Sequence, residues 1–190
     1  MAQKRNTDQT KVILDAALHL AARKGWDKTT HEAILKQAKV KTAPAPLDSR
    51  DKILTALIER LDQETFDSVM EDEDISTRDR LFEILMARFD VLSENKRAWI
   101  SILRSSLRCP HRLRTAAPVF RHSMHEILEK SGFETSRYNE IFAAGLSLLY
   151  MSVVYVWMDD DTADLAKTMA TLDKRLDQAE NLMPYIKKAR

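Results

Sequence analysis

His122 and His125 stand three residues apart, Cys109 sits among Arg108, His111 and Arg112, and four acids run together from Glu71 to Asp74. Each grouping has a chemistry it would need to support. A histidine pair at i, i+3 shares a helix face and can ligate a metal, but Ser123 and Met124 lie between the two and no carboxylate stands at the zincin position. His19, His31 and His111 are scattered and complete no ligand set. Cationic neighbours would favour a thiolate at Cys109, yet a cysteine directly before Pro110 at a helix end reads as local packing. The acidic run lacks the spaced ligands and glycine of a calcium loop and reads as a solvated turn. The expectation is no catalytic residue, no metal, no cofactor and no enzyme.

A further group is less easily absorbed. Lys96, Arg97, Arg104, Arg108, Arg112 and Arg114, with His111, occupy a stretch that contains no acid. Such a stretch binds either an anionic headgroup or the acidic loop of the same chain, and the second needs no further ligand.

The elements that must position these residues are helical. Only 3 glycines and 5 prolines occur in 190 residues, too few turn-formers for the tight connections of a sandwich or barrel. Val12, Ile13, Ala16, Ala17, Leu20 and Ala21 recur at helical spacing, and Gly25 closes a first helix over about 8–24. Thr29-Thr30-His31-Glu32 has the Thr-x-x-Glu form that starts a second, short helix reaching Val40. Pro44 and Pro46 remove donors and bias Ala43 and Ala45 away from the α region, so no regular helix is expected between Lys41 and Leu47. A long connector follows from Asp48 through Met70. Ser76 to Asp79 caps the next helix, and further helices are read over 96–107, 119–130, 136–158 and from about Thr162 onward. Gly132 stops the 119–130 helix, and Pro184 is a candidate for a local break in the last.

A net charge of +1 supplies no global field for nucleic acid or membrane, so such a partner must be met by a local patch. The single cysteine excludes an intrachain disulfide and fits a reducing cytoplasm. The N-terminus carries no continuous apolar signal region. Gly145, Ser147, Tyr150, Ser152 and Tyr155 interrupt the apolar stretch 141–158, which reads as a core helix, so no integral membrane segment is expected.

Ala16-Ala17, Gly25-Trp26, Thr29-Thr30, Ile34 and the Ala38-x-Val40 turn resemble the head of the TetR family of transcriptional regulators, and the helix order that follows resembles the TetR body. The resemblance implies an all-α fold with a three-helix, helix-turn-helix-like head over 1–52 and a helical ligand-binding and dimerisation domain over 53–190. The head departs from the family at two places. Lys39 stands where a glycine normally makes the turn. Leu47-Asp48-Ser49-Arg50-Asp51 resembles the start of the connector with Leu47 in place of a phenylalanine, which leaves the third element about two residues short, without aromatics and with two prolines. Leu148-Leu149-Tyr150, Tyr155-Val156-Trp157, Asp159-Asp160-Asp161, Thr168 and Leu172-Asp173-Lys174-Arg175-Leu176 resemble the end of the TetR-fold lipid-binding protein of ubiquinone biosynthesis. Its final amphipathic helix touches membrane, and Leu182 to Lys188 is the matching candidate here.

The implied function is a cytoplasmic, ligand-responsive TetR-type regulator, a DNA-binding repressor with an atypical recognition element. The alternative is a TetR-fold lipid-binding protein without DNA function. Lys4, Arg5, Lys11, Arg23, Lys24, Lys28, Lys36, Lys39, Lys41 and Arg50 outnumber the acids of the head and suit phosphate contact. Candidate DNA contacts are Thr29, Thr30, Lys41, Thr42 and Arg50. An apolar small molecule or lipid would be lined by Trp99, Leu103, Phe120 and Met124, and by Leu146, Tyr150, Tyr155 and Trp157 further on. The repeat Leu165, Met169, Leu172, Leu176, Ala179 and Met183 forms a narrow seam suited to a homodimer interface.

Overall fold

The computed structural model describes residues 2–70, 74–133 and 139–188, with side chains over the same ranges except 2–7, 110, 112, 139 and 182–188. Residues 71–73 of the acidic run and the expected helix start at Ser136 lie outside the described residues. Among those described there are eight α-helices and no strand. The helices are α1 (Ala2–Lys24), α2 (His31–Ala38), α3 (Arg50–Ser68), α4 (Thr77–Glu94), α5 (Lys96–Arg108), α6 (Pro110–Lys130), α7 (Asn139–Met158) and α8 (Ala166–Lys188), with 3-10 turns at Trp26–Lys28 and Ala45–Leu47. They form two compact units, residues 1–64 with 91–120 and residues 65–90 with 121–190.

In the first unit the ends of α1 and α2 follow from local chemistry. Gly25 takes φ 83°, a left-handed value that a side chain would resist, and lets Trp26 turn into the core, where it is fully buried. Thr30 caps α2 by accepting from the Ala33 amide at 3.1 Å. α2 ends at Lys39 with φ 56°, the amides of Lys39 and Val40 returning to the carbonyls of Lys36 and Leu35. The turn that normally uses glycine is thus made by a lysine, held by those two bonds. α5 packs on α1 and on the Trp26 turn. The Trp26 amide donates to Ser101 Oγ at 2.7 Å and the Ser105 hydroxyl donates to Asp27 at 2.6 Å.

In the second unit α7 packs along α8. Phe89 of α4 stacks on Tyr150 with ring centroids 5.0 Å apart and lies 6.1 Å from Trp157. The corner between α7 and α8 is made by Asp160, which is buried. One carboxylate oxygen accepts from the Thr162 amide and hydroxyl at 3.2 and 2.5 Å, the other from the Thr168 amide and hydroxyl, both at 2.8 Å. Burial alone would raise this carboxyl, but the four donors outweigh it and hold the group well below the usual carboxylate range.

α6 starts at Pro110, not near Val119 as the sequence pattern suggests. Pro110 fits the first turn because its missing amide proton would have no intrahelical partner there. Pro118 lies inside the helix, where its ring removes one donor from the ladder. The surrounding turn is largely exposed, so water can serve the carbonyl left over. α8 runs without interruption through Pro184 to Lys188.

Candidate ligand cavity and helix-turn-helix head

In the head, the third element is a single 3-10 turn of three residues, Ala45–Leu47, about 6 Å long at the rise of such a turn. Pro44 precedes it in extended conformation and its carbonyl accepts the Leu47 amide at 2.8 Å. Leu47 is fully buried and pins the turn to the core. His31 Nε2 lies 2.8 Å from the Leu47 carbonyl, which can only accept, so that nitrogen carries the proton and ties α2 to the third element. Nothing in the local pattern points to this contact beyond a polar residue in the first turn of α2.

The five candidate DNA contacts divide by orientation. Lys41 and Thr42 are exposed in the segment before the turn. Thr30 is exposed, with its hydroxyl engaged as the α2 cap. Thr29 is buried and its hydroxyl donates to the Gly25 carbonyl at 2.9 Å. Arg50 turns inward: Nη1 donates to the Thr29 carbonyl at 3.0 Å and to the Trp26 carbonyl at 3.4 Å, and the guanidinium carbon lies 5.5 Å from the centroid of the Trp26 ring. It clamps the loop between α1 and α2 to the start of α3.

The second unit holds a cavity of about 620 Å³ between α4, α6, α7 and α8. Its apolar wall includes Leu81, Leu128, Phe133, Leu146, Leu149 and Leu176. Ile141 and Leu148 line it as well and are exposed, so the cavity opens along α7. Polar groups sit at one margin. There Arg78 bonds Asp173 and Asp177 at 2.5 Å each, joining α4 to α8, and those bonds raise its pKa. Arg175 at the same margin donates to Gln178 at 3.0 Å.

Of the eight residues expected to line a pocket, Leu146 does so. Trp99, Leu103 and Phe120 belong to the first unit, Trp99 buried and the other two half-buried. Met124, Tyr150 and Trp157 are buried in the second unit outside the cavity lining, and Tyr155 is exposed on α7. The seam residues Leu165, Leu172 and Leu176 are buried within their own chain, Met169 is exposed, Ala179 lines the cavity, and the Met183 side chain lies outside the described residues. The exposed apolar stripe is instead on α7, where Ile141, Leu148 and Tyr155 recur at steps of seven. That spacing is visible in the sequence, but the uniformly apolar run around it hides which face is left over.

The COQ9 family model matches residues 144–183, which include the α8 wall of the cavity, its α7 wall from Gly145 to Ser152 and the Asp160 corner. No curated protein matches by sequence. Among solved structures, the chain resembles a TetR transcriptional regulator from Nitrosomonas europaea at TM-score 0.70 and 19% identity, covering 90% of this chain and 97% of that one. It also resembles a TetR transcriptional regulator from Rhodococcus sp. at TM-score 0.67 and 17% identity, covering 93% and 96%. The chain therefore has the all-helical fold of the TetR regulators, and its C-terminal segment is similar to COQ9.

Proposed function

We propose that this chain is a non-enzymatic, TetR-fold protein that binds an apolar, lipid-like molecule in the cavity of its second unit and does not read DNA sequence. The observation that carries the reading is the coincidence of an open apolar cavity of about 620 Å³ with the segment similar to COQ9. A volume in this range suits a ligand with a long apolar chain. The third element of the head supports the same reading from the other side. A major groove about 12 Å wide is read by a helix several turns long, and a three-residue turn anchored by buried Leu47 presents no such face. The protein acts as a homodimer through α7 and α8, with the exposed α7 stripe as the shared surface, and works in the cytoplasm.

A second reading, a ligand-responsive repressor, is favoured by the likeness of fold across 90% of the chain to TetR regulators. In that reading Lys41, Thr42 and Thr30 contact phosphates and base readout is weak. Solvent extraction of the purified protein followed by mass spectrometry separates the proposal from an empty scaffold, and the expected result is a retained apolar molecule in stoichiometric amount. DNA binding is measured in parallel. Nanomolar affinity for one operator at physiological salt would overturn the first reading, whereas no binding even at about 50 mM salt supports it.

A further inference from the structure

The first unit carries an exposed surface that neither reading uses. On α5, Arg97, Arg104 and Arg108 follow steps of seven and four, which puts them on one stripe, and all three are exposed. Leu107, 40% exposed, lies beside that stripe. After the corner at Cys109, the first turn of α6 exposes Leu113, at 46%, and Arg114. None of these four arginines forms an ion pair or hydrogen bond among the described residues, and the sequence from Lys96 to Arg114 contains no acid. The opposite face of α5 is committed to the core through Ala98, Trp99, Ile102 and Ser105.

Cations with no ion pair or hydrogen bond to another described residue, with large apolar side chains exposed beside them, fit a surface that is anionic outside and apolar beneath. A bilayer rich in acidic phospholipid has that layering, and a DNA duplex offers charge without a place for leucine. We propose that the α5 stripe and the first turn of α6 dock this protein on an anionic membrane surface, with Arg97, Arg104, Arg108 and Arg114 at the headgroup phosphates and Leu107 and Leu113 reaching the acyl boundary. Docking needs no change in the cavity and stands apart from the identity of its occupant.

The test is co-sedimentation of the full chain with vesicles of phosphatidylcholine alone, or with phosphatidylglycerol as roughly a third of the lipid. The protein binds the anionic vesicles, and binding falls as ionic strength rises. Each arginine near such a surface contributes about fivefold, so Arg104→Gln with Arg108→Gln weakens binding about 25-fold. Leu107→Ser with Leu113→Ser weakens it about tenfold at unchanged charge. Arg23→Gln with Lys24→Gln, which removes equal charge from the end of α1, leaves it unaltered. Circular dichroism and thermal melting of each variant establish that it is folded. Equal binding to both vesicle types, no binding at low salt, equal loss in the α1 control, or duplex DNA bound through these arginines without vesicle binding would each overturn the proposal.

Discussion

Arg50 occupies the position where the TetR resemblance places a phosphate-binding cation, yet its guanidinium donates to two carbonyls of its own head and covers Trp26. Removing it leaves two carbonyls without that donor and the indole without its cation. Arg50→Ala should therefore lower stability by about 1–2 kcal/mol, and Arg50→Lys should recover only part of it, because an ammonium can still donate to a carbonyl but does not cover the indole as the planar guanidinium does. Urea unfolding midpoints check this, and an unchanged midpoint would return Arg50 to the role of an outward phosphate contact. Asp160 makes the complementary case for an anion. Its folded pKa is depressed, so the stability it contributes is complete above the unfolded value near 4 and is lost as pH falls below that. Asp160→Asn keeps one accepting oxygen and turns an NH2 group toward either the Thr162 or the Thr168 pair of donors. It should cost about 2–3 kcal/mol at neutral pH and flatten the acid limb of melting temperature against pH below about 4.

At the scale of elements, what was legible in the sequence was what local chemistry decides. The Thr30 cap, the Gly25 and Gly132 stops, the capping pair of Ser76 and Asp79, and the lack of an α-helix around Pro44 and Pro46 all involve groups within a few residues of each other. The start of α6 was not legible, because its first turns are largely exposed and carry no apolar stripe from which a helix is read. The cavity was not legible either. Aromatic rings drew the expectation, but Tyr150 and Trp157 fill the core beside Phe89, while the open space borders Leu81, Gly145 and Leu149. Periodicity marks an apolar face without saying whether that face meets a side chain or a void. Gly145 turns this into a prediction, since a Cβ built there meets nothing within 4 Å and the residue lines the cavity. Gly145→Ala should stabilise α7 by about 1 kcal/mol in thermal unfolding. Gly145→Phe should fold and yet lose most of the retained apolar molecule, and full retention by the phenylalanine variant would place the ligand elsewhere.

At the scale of the whole molecule, the two final helices face a choice between serving their own chain and serving a second copy. On α8, which packs along α7, Leu172 and Leu176 are buried, with Leu165 buried beside its start, so its seam is largely consumed within the chain. α7 spends Ala143, Leu146, Tyr150, Val153 and Trp157 inward and leaves Ile141, Leu148 and Tyr155 in solvent, at 56%, 76% and 60% exposure. Three large apolar groups in one line are costly to leave in water and are best covered by an identical line across a two-fold axis. Such an interface buries on the order of 2,000 Å² when it is obligate. Tyr155 is the residue to test, because it lies on the stripe but outside the cavity lining, so a change there spares the ligand site. Tyr155→Lys places one unpaired charge from each protomer into the shared surface, at about 3–5 kcal/mol apiece when a charge is buried without a partner. In the isolated chain the same side chain is exposed and the substitution should shift stability by less than about 0.5 kcal/mol. Sedimentation equilibrium at micromolar concentration should give twice the 21.9 kDa chain mass for the native protein and the single-chain mass for the variant. A dimer that survives Tyr155→Lys would move the interface off the α7 stripe, and a native protein that sediments as one chain would remove the homodimer altogether.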